Sequence, residues 1–199
     1  MAPRLSTRDR ARLREDVQYL NLEEMRTFCK KHDLSLFIHI ERVDGRLRRT
    51  SDRDRKDVVL NRILAFALDG RRDGPTVYSR KVVGNGPLPD SLTPRVRVRY
   101  GQYEKHNPVF VQTLKDLTDG AFRTGMIARL VLRDFWTAGT APTMRQFAAA
   151  WIEATAAHTS PRPEGAYLVD LARGTAGDDW KEVRVAKASR ALEVLAHLV

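Results

Sequence analysis

The chain has 199 residues, of which 42% are hydrophobic and 30% charged. That length suits one domain or two small ones with a sizeable core, and that composition excludes a wholly disordered or membrane-embedded chain. The 35 Lys and Arg residues outnumber the 25 Asp and Glu, leaving a net charge of +10, which points to polyanionic partners.

The excess is uneven. Residues 1–62 carry 16 basic and 11 acidic side chains, residues 63–105 carry 8 and 4, and residues 106–199 carry 11 and 10. The first half is therefore the candidate polyanion-binding half. Of the basic residues 27 are Arg, the side chain suited to bidentate phosphate and guanine contacts, although a GC-rich genome also raises the Arg count. The start, MAPRLSTRDRARLRED, never opens into an apolar stretch, so no secretory leader is expected. The longest weakly polar run, Gln146 to Ile152, is too short to cross a bilayer. A lone Cys29 allows no internal disulfide and suits a reducing cytosol. The expectation is a soluble cytoplasmic protein without a membrane partner, nucleoid-associated where it binds DNA.

Residues 4–20 read as a short charged helix capped by Ser6 or Thr7, with Leu13, Val17 and Leu20 on one face. Its Arg4, Arg8, Arg10, Arg12 and Arg14 fit a basic arm laid on DNA. They fit equally an exposed helix with pairs such as Arg12–Asp16. Asn21 opens a second helix, with Glu24 placed for a capping box and an apolar stripe of Leu22, Met25, Phe28 and Cys29. From Leu36 the period becomes two, Asp44-Gly45 signals a hairpin turn, and the return strand Arg46–Thr50 is strongly basic. Alternation sets Arg46 and Arg48 on one face and Leu47 and Arg49 on the other. Ser51 or Asp52 is the expected cap of a helix running to about Leu68 and stopped at Asp69-Gly70.

Residues 71–106 are rich in turn signals and read as a linker, with short strands expected at Thr76–Val83 and Arg95–Tyr100. Helices follow from Asn107-Pro108, from about Thr124 to Thr137, and from the Thr143–Gln146 capping box through about Ala156. After Ser160–Gly165 a short segment Tyr167–Leu171 precedes a last helix from Asp178 to the terminus. Its face of Trp180, Ala188, Leu192, Leu195 and Leu198 is expected to dock on its own domain or on a second subunit. The division expected is 1–70, 71–106 and 107–199.

Residues 21–70 resemble a SAP domain, a small helical module that binds DNA. The resemblance rests on Leu22, Met25, Phe28 and Cys29 in the first helix and on Leu34 closing the first unit. It continues in the pattern Lys56, Val59, Arg62 and Ile63 of the second helix. Here Ser35–Arg55 replaces the family's short linker, and Asp54 stands where the family usually has glycine. The second half is faintly similar, at Phe110, Gly120-Ala121-Phe122, Thr143, Phe147 and Trp151, to an uncharacterised helical domain found beside bacterial SAP modules. That similarity implies no activity.

The fold expected is thus mainly α: a SAP-like helix–(β-hairpin)–helix module followed by a multi-helix domain. The SAP resemblance implies duplex DNA as partner, held mainly by its backbone, with Lys56, Arg53 and Arg55 at the DNA-facing helix start. Arg46, Arg48 and Arg49 extend the contact along the hairpin, and Arg62 lies on the helix flank, where an arginine equally serves to cover the core with its stem. Phosphates favour Arg, Lys and helix N-termini without demanding a base code, whereas Asp52, Asp54 and Asp57 lower the local charge. No catalytic signature, cofactor fingerprint or metal-ligand spacing of the five His is visible, so neither an enzyme nor a cofactor is expected. The alternative is a helical adaptor that binds an acidic protein partner.

Overall fold

The computed structural model describes residues 5–157 and 178–198. Arg4, the stretch Ser160–Gly165, the expected segment Tyr167–Leu171 and the side chain of Trp180 lie outside the described residues. The described helices are α1 (Thr7–Asp16), α2 (Leu22–Lys31), α3 (Lys56–Asp69), α4 (Pro108–Asp116), α5 (Met126–Thr137), α6 (Met144–Ala157) and α7 (Asp178–Leu198). Strands β1 (Phe37–Glu41), β2 (Leu47–Arg53) and β3 (Val77–Tyr78) form a small sheet in the order β2-β1-β3. The chain is mainly helical, as its periodicity implies.

Two compact units divide it. The described part of the first comprises residues 5–37, 52–75 and 178–198, and that of the second comprises 38–51 and 76–157. This is not the division that composition suggests. The turn-rich stretch after residue 75 is no bare linker, because Tyr78, Val82 and Val98 are fully buried in the core of the second unit. Its Gly and Pro residues reverse the chain around isolated core side chains rather than separating domains.

In the first unit, local chemistry sets the helix starts. Ser6 Oγ accepts from Asp9 N–H at 3.2 Å to cap α1. Asn21 Oδ1 accepts from Glu24 N–H at 2.8 Å while Glu24 accepts from Asn21 N–H at 2.7 Å, which completes the expected capping box on α2. Helix α3 starts later than expected, with Arg55 rather than Ser51 or Asp52 at its N-cap, because β2 extends through Arg53 and takes both residues into the sheet. It ends at Gly70, whose φ of 65° is the left-handed conformation that favours glycine.

The core of this unit joins Leu13, Val17, Leu20, Met25, Phe28, Cys29, Val59, Leu60 and Ile63 to Ala188, Ala191, Leu195 and Leu198 of α7. The apolar face of the last helix therefore docks on its own chain, against α1, the turn after it and α3. Arg190 adds a two-pronged bond to Asp16, 2.6 Å on each arm, and Arg184 pairs with Glu24.

In the second unit β1 pairs in parallel with β3, His39 opposite Val77 and Ile40 opposite Tyr78, and buries Ile38 and Ile40. The strand expected at Thr76–Val83 shortens to two residues before a single 3-10 turn at Arg80–Val82. Arg95–Tyr100 forms only isolated bridges, Tyr100 with Val83 and Arg97 with Thr143. Asn107 caps α4, and Thr143 with Gln146 closes the box that opens α6. Around these helices Phe110, Phe122, Phe147 and Trp151 pack together, while Trp136 donates its indole N–H to the Val98 carbonyl at 3.1 Å.

Candidate nucleic-acid interface

Three of the expected contact residues stand on the hairpin of the second unit. Gly45 takes a φ of 75° at the turn, Asp44 Oδ1 accepts from Arg46 N–H at 3.1 Å, and Arg42 N–H donates to the Arg46 carbonyl at 2.9 Å. This tight turn projects Arg46, Arg48 and Arg49, together with Arg42, as an exposed tip. Alternation turns Arg48 and Arg49 to opposite faces, so basic charge lies on both sides of the strand. Val43 and Leu47, 84% and 51% exposed, share the tip. Thr50 Oγ1 donates to the Ile38 carbonyl at 2.9 Å and ties β2 to β1.

The other four belong to the first unit and do not act alike. Arg53 is exposed, its guanidinium 6.0 Å from the centre of the Phe37 ring. Arg55 pairs with Asp57 at 3.2 Å, and Lys56 donates to the backbone carbonyl of Gln18. Arg62 is not at the surface at all. Its side chain is 5% exposed, with Nη1 2.5 Å from Asp54 and 3.0 Å from the Ser35 carbonyl, and Nε donating to the Gly74 carbonyl at 3.0 Å. The SAP resemblance sets Arg62 among the DNA contacts; the structure makes it an internal clamp, its guanidinium held by one carboxylate and two backbone carbonyls. Asp54 supplies the countercharge.

The charge excess is uneven between the two units as well as along the chain. Among described residues the second unit holds 15 Lys and Arg against 8 Asp and Glu, and the first holds 17 against 15. Most of the surplus therefore sits on the unit that carries the hairpin.

Sequence reasoning missed a second basic feature of this unit. A cleft of about 550 Å³ is lined by Arg80, Lys81, Arg99, Asn85 and Gln102 with Val83 and Pro87, and no carboxylate is among its described lining. Gln102, only 8% exposed, holds its walls together. Its Oε1 accepts from Arg99 N–H at 3.0 Å, and its Nε2 donates to the Gly86 carbonyl at 3.0 Å. At Gly84 a Cβ would lie 2.7 Å from Gln102 Cγ, so only glycine fits there. The available signals were Arg80-Lys81 just before Gly84-Asn85-Gly86 and the alternating Arg95, Arg97 and Arg99, which read as turns and a strand.

Among the described residues no group of three His, Cys, Asp or Glu side chains is arranged to hold a metal, and no helix is long and apolar enough to cross a membrane. No protein-family model, curated protein or solved structure matches the chain.

Proposed function

We propose that this protein binds duplex DNA through the phosphate backbone, with the arginine-tipped hairpin as the principal contact. The observation that carries the reading is the tip itself: Arg42, Arg46, Arg48 and Arg49 are all exposed on one short hairpin of the unit that holds the charge surplus. Guanidinium groups projected from a narrow ridge can follow a groove and neutralise successive phosphates, which gives affinity without sequence selectivity. The SAP resemblance of residues 21–70 supports the same partner, and Arg53 extends the basic surface of the first unit. No catalytic step is part of this reading.

Fluorescence anisotropy with a random duplex of about 20 bp at about 50 and 200 mM salt tests it. The wild-type chain should bind with a steep log–log salt dependence. The Arg46→Ala/Arg48→Ala/Arg49→Ala variant should bind all sequences more weakly, its slope shallower by about 0.9 for every phosphate it no longer neutralises. A variant that binds as the wild type does would remove the hairpin from the interface. One observation favours a second reading, an adaptor for an acidic protein: Val43 and Leu47 give the tip an apolar component. That reading takes over if duplex fails to bind below about 10⁻⁴ M.

A further inference from the structure

We propose that the cleft bounded by Arg80, Lys81 and Arg99 binds a phosphomonoester, the terminal phosphate of a free nucleotide or of a 5′-phosphorylated nucleic-acid strand. Two chain segments bring three cationic side chains to one concavity whose remaining described lining is neutral, namely Val83, Asn85, Gly86, Pro87 and Gln102. A terminal phosphate carries close to two negative charges at pH 7, with three strong acceptor oxygens, and so matches three cations better than a singly charged diester does. Shape argues the same way. The hairpin is a ridge that a continuous backbone can pass along, whereas a cleft of about 550 Å³ accommodates a small molecule or a strand end.

The backbone walls of the cleft are tied to each other without any ligand. The Gln102 amide fastens the loop at Gly86 to the turn at Arg99, and Gly84 packs on that amide too closely for any other residue. Backbone fixed by its own hydrogen bonds adds little to the entropy lost on binding. Two of the loop's acceptors, the Gly86 and Pro87 carbonyls, are already occupied by the Gln102 amide. The nearby carboxylate of Glu41 is taken up by Arg80 N–H at 3.1 Å. Arg99 is half-buried, so its charge is less screened than that of the exposed Arg80 and Lys81.

The proposal does not depend on the hairpin, since a nucleotide can occupy the cleft whether or not duplex binds the tip. The test compares AMP with adenosine by calorimetry, and 5′-phosphorylated with 5′-hydroxyl single strands of about 12 nucleotides by anisotropy. The phosphorylated member of at least one pair should bind about tenfold tighter, and that preference should fade below about pH 6 as the dianion takes up a proton. Lys81→Gln/Arg99→Gln should abolish the preference, and Lys81→Gln alone, at an exposed position, should weaken it with no change in melting temperature. The hairpin triple variant should keep it. A response to AMP alone identifies a free nucleotide as the source, and a response to the strand alone identifies a strand end. Equal binding within both pairs, or a preference that survives Lys81→Gln/Arg99→Gln, overturns the proposal.

Discussion

A guanidinium offers five donors in a rigid fork, and Arg62 directs three of them, from Nη1 and Nε, to Asp54, Ser35 and Gly74 inside the first unit. Removing one partner of a buried pair strands the other's charge, so Asp54→Ala and Arg62→Ala should each destabilise the protein by about 3–5 kcal/mol in urea denaturation. The double replacement Asp54→Leu/Arg62→Met should cost clearly less than either single change, because it strands no charge. The local pattern around Arg62 leaves a DNA contact and a core-covering stem equally open, since two of its acceptors lie 27 and 12 residues away in the chain. His32 is a second case. Its ring centre is 4.5 Å from that of Phe28 and 5.2 Å from that of Phe66. Desolvation first, and then the charges of Lys31 and Arg72, lower its pKa from the ordinary 6.5. Below about pH 6.5 the unfolded chain thus takes up a proton that the native imidazole resists, and stability falls with falling pH. Melting temperatures measured at about pH 7.5 and 5.5 should differ less in His32→Gln than in the wild type. The neighbouring Cys29 thiol is fully buried, and burial pushes its pKa up to about 11, leaving it a core side chain with little thiolate to react.

Helix α7 shows how an element can be legible while its partner is not. Its apolar spacing was plain in the sequence, but two dockings were open, and the choice rests on partners 160 and 168 residues distant, Arg184 with Glu24 and Lys187 with Tyr19. Leu195→Ala should destabilise the protein by about 2–5 kcal/mol, because that side chain is fully enclosed. Val185→Ala, at a position 53% exposed, should stay within about 0.5 kcal/mol, both read from chemical denaturation. Elements written in local chemistry were read well: the capping boxes at Asn21–Glu24 and Thr143–Gln146 need only four consecutive residues each. The start of α3 was misread for a related reason. Ser51 and Asp52 are good caps, and only the pairing of β2 with β1 shows that they belong to a strand. The arginines of β2 also have a structural role, since charge on an edge strand discourages pairing with another chain.

At the scale of the whole molecule, the basic surplus is uneven both along the chain and between the folded units, and the two divisions do not coincide. Counting along the chain put the surplus in the first half, whereas folding gathers residues 38–51 with 76–157 and puts most of it on that unit. The hairpin half of the candidate interface was therefore legible from Asp44-Gly45 and the arginines that follow. The cleft was not, because Gln102 and the Gly84–Gly86 loop become a wall only once Tyr100 bridges Val83. The discontinuous first unit also bears on how the chain folds. Its core needs Leu13 and Leu20 from one end and Leu195 and Leu198 from the other, so the chain must close a very long loop before these side chains meet. The second unit has its described residues in hand by residue 157. On the ribosome it can therefore consolidate first, while α1, α2 and α3 wait with an open apolar surface for α7 to emerge. During that interval the nascent chain is at its most vulnerable to aggregation, and a chaperone that shields Leu20, Met25 and Leu60 would protect it most.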